Sequence, residues 1–423
     1  MGASALGASA LNAPMQGSAH KSPWKPLPRK VLLIDLDDIG REFLSSAIAL
    51  GMAPHLANAM AVGRNYENFW AALMCSPFRA RVLTGLEAFR PGNLVHRIVT
   101  ENDQFTGPTG TWMPAGLPGQ KVKLGKWHLS NYDDFAVGVA LGGYDFFVGI
   151  KAKVETYYYY RQWYASPSGA NSQILTTHHT TQVAHDVLAE IAFGTELIHA
   201  SFYAIHTPLA LPPNDEPPGH VYLGGTEQDV KHDMLFHLDY WLGQIFTQAV
   251  AAGYLVMLTC DNGTDGDGKG LYYEPGPNTN LFVLGKGVIP GSSSRLVQST
   301  DLWATVRRLR GDTSGLKATD SLDFTDDFLP VPPIDPPRTI MRLDWSAYLG
   351  VPTPPEGWSR MLRDDRWKYV NQTFAPKPPP PGVPLIAFHD LLSDPEEKVN
   401  LLDAPLTPEA QDAYDTLLTH LQV

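Results

Sequence analysis

The sequence predicts an α/β fold: a large mixed, mostly parallel sheet sandwiched by helices, followed by a small C-terminal α+β subdomain. Three observations predict it. Short continuous apolar runs rich in branched residues recur at Val31–Ile34, Val122–Leu124, Ser201–Ile205 and Tyr254–Thr259, as strands buried on both faces require. Helix-length patterns, Thr181–Ala192 and Met234–Ala252, fall between them, and strands alternating with helices give a parallel sheet covered on both sides. Each run is followed by a polar cluster, at the strand ends where open α/β sheets bind ligands.

Composition agrees. The chain has 423 residues, 43% apolar and 18% charged, which describes a globular protein large enough for one big α/β unit or two unequal ones. Its 32 Lys+Arg against 44 Asp+Glu give a net charge of −12, which argues against nucleic acid or an anionic membrane as a partner. Cys75 and Cys260 cannot make a disulfide framework, so a cysteine that matters here matters chemically. No apolar stretch approaches the length of a membrane span; Phe135 to Gly143 is half of it and runs into Asp145.

Met1 to Lys30 is Ala, Gly, Ser and Pro with few large apolar side chains, and reads as a flexible arm. It lacks the charged start and apolar run of a secretory signal, and Leu6 stands where a myristoylation start wants Ser or Thr, so a cytoplasmic location is expected over a periplasmic or secreted one. Residues 31–338 read as the main α/β domain, with a further helix at Asp301–Leu309 and a Pro-rich break at Leu329–Arg338. Residues 339–423 read as the appendage. It has strand-like pieces at Arg366–Val370 and Leu385–Phe388, a stiff Pro376–Pro384 loop and a closing helix at Pro408–Leu421.

The residues after the strands carry the chemistry. Val31–Ile34 leads to Asp37-Asp38-Ile39-Gly40, Val122–Leu124 to Gly125-Lys126-Trp127-His128, Ser201–Ile205 to His206-Thr207-Pro208, and Tyr254–Thr259 to Cys260-Asp261-Asn262-Gly263. Alone, Asp37-Asp38 is a helix cap with a solvated neighbour and Asp261-Asn262-Gly263 a turn. Together they are hard oxygen donors whose negative charges repel unless a cation such as calcium or magnesium sits among them. Arg79, Lys126, His128, His206 and Lys269 are the natural partners of an anion bound there, although each histidine alone is more simply a structural or surface residue. Lys126 and His128, two apart, would project from one side of an extended segment.

Cys75-Ser76-Pro77-Phe78-Arg79 is the sharpest element. A lone cysteine is usually a small buried apolar residue. Cys75, however, sits just before an expected helix start, where backbone N–H groups and the dipole favour negative charge, with Arg79 one turn on.

Cys75-x-Pro77-x-Arg79-x-x-x-x-Thr84-Gly85 resembles the signature of the type I sulfatases, within the alkaline phosphatase superfamily. Asp37-Asp38-x-Gly40, Gly125-Lys126-Trp127-His128-Leu129, His206-Thr207-Pro208, Asp261-Asn262-Gly263 and Lys269-Gly270-Leu271-Tyr272-Tyr273-Glu274 resemble further motifs of that family, in the same order. The C-terminal runs Arg366-Trp367-Lys368-Tyr369 and Asp390-Leu391 to Asn400-Leu401 extend the resemblance to about residues 30–405. Two departures stand out. Pro275-Gly276-Pro277-Asn278-Thr279-Asn280 replaces the usual Gly-Gly-x-Arg-x-Pro beside the cleft, and Ser130 replaces a glycine.

The resemblance implies an alkaline phosphatase-like fold and a sulfuric ester hydrolase, arylsulfatase-like, in which a maturase, either a formylglycine-generating enzyme or an anaerobic one, converts Cys75 to formylglycine. It implies a divalent cation, calcium or else magnesium, held by Asp37, Asp38, Asp261 and Asn262 together with residue 75. The hydrated aldehyde attacks sulfur. Lys126, His206 and Lys269 neutralise the developing charge, with His206 as general acid and Lys269 second. His128 takes the proton that lets sulfate leave, and Arg79 orients the formylglycine. The expected substrate is a small sulfate monoester, released as alcohol or phenol. A phosphonate monoester or phosphodiester hydrolase, or a silent anion-binding fold that keeps its thiol, are the alternatives. Tyr157-Tyr158-Tyr159-Tyr160 and Trp163 either line a cleft for an aryl or sugar group or form a partly buried surface.

Overall fold

Eleven of the apolar positions in the four expected runs lie at the centre of a single ten-stranded sheet. In the computed structural model the described residues are 29–100, 103, 109, 111–129, 142–222, 224–312, 319–346, 358–377, 379 and 381–421. Apart from Arg29 and Lys30, the expected N-terminal arm lies outside them, as do Ser130 and most of the 135–143 stretch.

The strands are β1 (Val31–Leu36), β2 (Arg64–Trp70), β3 (Lys121–Lys126), β4 (Phe146–Ile150), β5 (Tyr160–Ser166), β6 (Gly169–Leu175), β7 (Leu197–Phe202), β8 (Leu255–Cys260), β9 (Leu281–Leu284) and β10 (Gly291–Gln298). They lie in the order β10-β2-β9-β8-β1-β7-β3-β4-β5-β6. The central run β8-β1-β7-β3-β4 is parallel throughout, and β9, β5 and β6 add antiparallel pairings.

Every residue of β1 is buried, because helices cover both faces of the sheet. One face, carrying Leu32, Ile34 and Leu36, packs on α1 (Arg41–Ala49), α2 (Pro54–Val62), α4 (His179–Phe193) and α5 (Glu227–Ala251). The other, carrying Val31 and Leu33, packs on α3 (Cys75–Thr84), α6 (Asp301–Leu309) and α7 (Thr325–Phe328). The helix α5 begins earlier than its apolar pattern because Thr226 and Asp229 form a reciprocal capping box.

The expected Ser201–Ile205 strand is displaced: β7 starts at Leu197 and ends at Phe202, so His206 follows it at a distance. Polar His199 and Ser201 interrupt the apolar run and hid its start. Gly125 in β3 has φ 79°, and a Cβ there would fall 2.0 Å from the Ser201 carbonyl oxygen, so the strand can pass β7 this closely only with glycine.

The C-terminal segment forms a second, antiparallel sheet in the order β11 (Met341–Ser346), β12 (Trp358–Arg363), β13 (Trp367–Asn371), β14 (Ile386–Asp390), with α8 (Pro408–Thr419) against it. Its inner face shares a cluster with Trp70, Leu73 and Tyr272 of the larger unit. No helix among the described residues is long and apolar enough to cross a membrane.

Candidate active site

The four strands whose ends carry the polar motifs, β8, β1, β7 and β3, are neighbours in the sheet and run the same way. Their loops therefore meet at one edge. Asp38 has φ 63°, a left-handed turn rare outside glycine, and its backbone N–H donates to Asp261 Oδ1 at 3.1 Å, tying the β1 loop to the β8 loop. Asn262 Nδ2 donates to Asp38 Oδ1 at 2.8 Å.

Cys75 is the first residue of α3, with Met74 as its cap; it lies one position further into the helix than expected. Its Sγ is 3.4 Å from Asp37 Oδ1. The Lys269 loop is fastened beside it, since Gly270 N–H donates to the Leu73 carbonyl at 3.0 Å.

Cations close over this pair of carboxylates. Lys126 Nζ lies 2.5 Å from Asp37 Oδ2, and Lys269 Nζ lies 2.5 Å from Asp38 Oδ1. Arg79 does not turn back to the sulfur as its spacing suggested. Its Nη2 points to Asp37 Oδ2 at 3.2 Å and Asp261 Oδ2 at 3.7 Å, and its Nη1 donates to Asp35 Oδ2 at 3.0 Å and to the Lys126 carbonyl at 3.1 Å. Asp37, Asp38, Cys75, Arg79, Lys126, Asp261, Asn262 and Lys269 are all buried.

His206 is partly exposed at the rim. Its Nδ1–H donates to the Thr207 carbonyl at 2.7 Å, which leaves Nε2 facing inward, 3.9 Å from Asp38 Oδ2. Its ring lies against Tyr203, over which Lys126 Nζ also sits, 5.0 Å from the ring centroid. His128 joins the cluster for a different reason than strand alternation. The strand β3 ends at Lys126, and His128 takes a left-handed φ of 61° that turns it to the same side, while Trp127 packs into the core.

The charges act on one another strongly. Burial pushes the Asp37 carboxyl up, but Lys126, with His206, Arg79 and Lys269, holds it well below the usual carboxylate range. Burial, together with the negative charge of Asp37, pushes Asp261 well above that range. Burial and Asp37 also push the Cys75 thiol up, so the helix N-terminus does not make it a thiolate. Burial and Lys126 lower both His128 and His206.

Asp261 Oδ2 and Asn262 Oδ1 are buried and have no hydrogen-bond partner among the described residues. Oxygen atoms left over in this way, on a carboxylate that resists charging, fit a hard divalent cation bound between Asp37, Asp38, Asp261 and Asn262. One ligand atom each from Asp37, Asp38, Cys75 and His206 also lies within 4.8 Å of the others.

Sequence reasoning missed the layer beneath: Asp35, Lys123, His199, Ser201 and Tyr144. The available signal was a charged residue in the middle of an apolar strand pattern. The clefts lined by Phe146–Val148 with Tyr164–Asn171, and by Ser292–Leu296 with Pro337–Ile340, contain none of the site residues.

No family model matches the sequence. The fold is that of several solved structures. The PsFucS1 sulfatase from Pseudoalteromonas sp. is 18% identical with a TM-score of 0.71, covering 94% of this chain and 90% of that one. The putative sulfatase yidJ from Bacteroides fragilis is 15% identical with a TM-score of 0.69, over 95% and 97%. The phosphonate monoester hydrolase SpPMH from Silicibacter pomeroyi is 17% identical with a TM-score of 0.65, over 93% and 94%. At these identities the likeness establishes a shared fold.

Proposed function

We propose that the chain is a sulfatase that hydrolyses a small sulfate monoester to an alcohol or phenol and inorganic sulfate. The observation that carries this reading is the convergence at Cys75: its Sγ lies against Asp37, while Lys126 and Lys269 each ion-pair with one of the two adjacent carboxylates. The fold shared with sulfatases supports it.

A thiol whose pKa is raised is a poor nucleophile at neutral pH. Conversion of Cys75 to formylglycine would supply an oxygen nucleophile at the same place, regenerated after each turnover. Calcium, or magnesium, held by Asp37, Asp38, Asp261, Asn262 and residue 75, would supply a Lewis acid for that oxygen and for a sulfate oxygen.

The chain's own residues do the rest. Lys126 and Lys269 present ammonium groups to the sulfuryl oxygens and neutralise charge that grows as the ester bond breaks. Arg79, fixed by Asp35 and Asp37, keeps residue 75 and the carboxylates in register. His206 would hold the leaving-group proton on its inward Nε2. Its lowered pKa makes the imidazolium a stronger acid but a rarer one at neutral pH. His128, held neutral by burial and Lys126, is the base on the opposite errand.

Mass spectrometry of the peptide containing Cys75, from protein made beside a maturase, tests the reading. The expected result is an aldehyde; an unconverted thiol would sink it and leave the silent anion-binding fold. Turnover of an aryl sulfate against an aryl phosphonate monoester then decides the substrate, and a phosphonate preference would turn the assignment to the hydrolase class of SpPMH.

A further inference from the structure

On the face of the sheet that α3 covers, apolar positions give way to polar ones just below the site. Val31 and Leu33 are followed by Asp35 on β1, Leu197 by His199 and Ser201 on β7, and Lys123 stands beside them on β3, all buried. They form one connected network. Asp35 Oδ2 accepts from Arg79 Nη1 at 3.0 Å and from Ser201 Oγ at 2.5 Å, and Lys123 Nζ donates to Ser201 Oγ. Asp35 Oδ1 lies 2.6 Å from His199 Nε2, and the Tyr144 hydroxyl lies 2.7 Å from His199 Nδ1. A carboxylate only accepts, so Nε2 carries the imidazole proton and Nδ1 accepts from Tyr144.

Such a network is not there for stability. Replacing a buried ionic cluster with well-packed apolar residues is commonly neutral or stabilising. What distinguishes this one is that, among the described residues, its only side-chain link to the active site is Arg79, whose other nitrogen points at Asp37 and Asp261. Those two carboxylates are the ones a cation needs. Deprived of Asp35, the guanidinium has no other buried anion within reach among the described residues, and would settle on them.

We propose that Asp35 is a positioning residue: it holds the Arg79 guanidinium down against the sheet, so that Asp37 and Asp261 stay available to the cation. This rests on the cation reading given above. His199 with Tyr144, and Ser201 with Lys123, keep Asp35 oriented for that task by saturating its remaining acceptor sites.

Calorimetric titration of calcium into the unconverted chain tests it without any turnover. Asp35→Asn should raise the calcium dissociation constant about 10–100-fold, the range for groups that orient metal ligands. A variant combining Asp35→Leu, Lys123→Met, His199→Leu and Ser201→Ala should keep the thermal midpoint of the unaltered chain yet show the same loss of affinity. A purely structural network would restore affinity along with stability in that variant. In matured enzyme, the activity lost in Asp35→Asn should return as calcium is raised. Unchanged affinity in either folded variant overturns the proposal alone. Failure of the unaltered chain to bind calcium overturns it together with the cation reading.

Discussion

Lys126 illustrates how much a single side chain does here. It is fully buried, lies 2.5 Å from Asp37 Oδ2, and sits over the Tyr203 ring, so its ammonium is aimed rather than solvated. Preorganised charge of this kind is worth most where charge develops in the transition state. Lys126→Gln should therefore lower kcat by about 100–1000-fold at saturating calcium. Calcium affinity should hold or improve, because a competitor for Asp37 has gone. Steady-state kinetics and calcium titration check the two halves, and a kcat within twofold of the unaltered enzyme would remove Lys126 from the machinery. Its place was legible from sequence because Gly125-Lys126 ends an apolar run. That of Lys269 came from the resemblance, since its Gly-rich loop alone does not reveal that Gly270 is hydrogen-bonded to Leu73. Asp35 was overlooked because a lone acid inside a strand pattern carries no local sign that three donors await it from two other elements.

At the scale of the element, α4 begins in an unusual way. His178 caps it and His179 opens it, both rings are buried, and neither ring has a hydrogen-bond partner for its nitrogens among the described residues. A positive charge at a helix N-terminus is opposed by the dipole. Burial, with the neighbouring His237 and His179, pushes His178 down to about 2, and burial with Lys126 pushes His179 down to about 3, from an ordinary 6.5. The unfolded chain therefore binds these protons first. The stability they contribute is present above pH 6.5 and is lost as pH falls from there towards 3, by up to about 1.4 kcal/mol per pH unit for each ring. Urea unfolding at stepped pH should show midpoints falling through this window. His179→Gln, which cannot titrate, should flatten the slope, and an unchanged slope would show that the ring is solvated in the folded state. The helix itself was readable from its apolar period, but its histidine start was not, because His178 and His179 look like surface residues until Tyr157, Tyr160 and Tyr203 are packed around them. For the same reason β7 was read late: its polar residues serve the layer below the site.

Across the whole molecule, the segment from Lys269 to Glu274 joins the site to the second sheet. Lys269 reaches Asp38 at one end, and at the other the half-buried Glu274 sits between Lys368 Nζ at 3.0 Å, Arg363 Nη1 at 2.9 Å and Trp70 Nε1 at 3.2 Å. Lys368 also pairs with Glu397 at 2.7 Å, whose carboxylate accepts the Glu274 backbone N–H at 2.5 Å. The central parallel strands were legible because burial on both faces writes an unbroken apolar run. The strands β11 and β12 were not, since their Arg342, Asp344, Arg360 and Arg363 are charged residues paired inside the structure. We propose that residues 31–338 and 339–423, though they read as two units, unfold as one, because Trp70, Leu73 and Tyr272 share a core with Met341, Leu343, Met361 and Val370. Lys368→Met would leave the buried Glu397 without its cation and Glu274 with Arg363 alone, at a cost of about 3–5 kcal/mol. The expected outcome is a lower denaturant midpoint in a single transition, coincident by tryptophan fluorescence and far-ultraviolet circular dichroism, accompanied by reduced turnover as the Lys269 loop loosens. Two separated transitions would show instead that the C-terminal sheet comes away first and that its carboxylate–lysine junction does not hold the active-site loop in place.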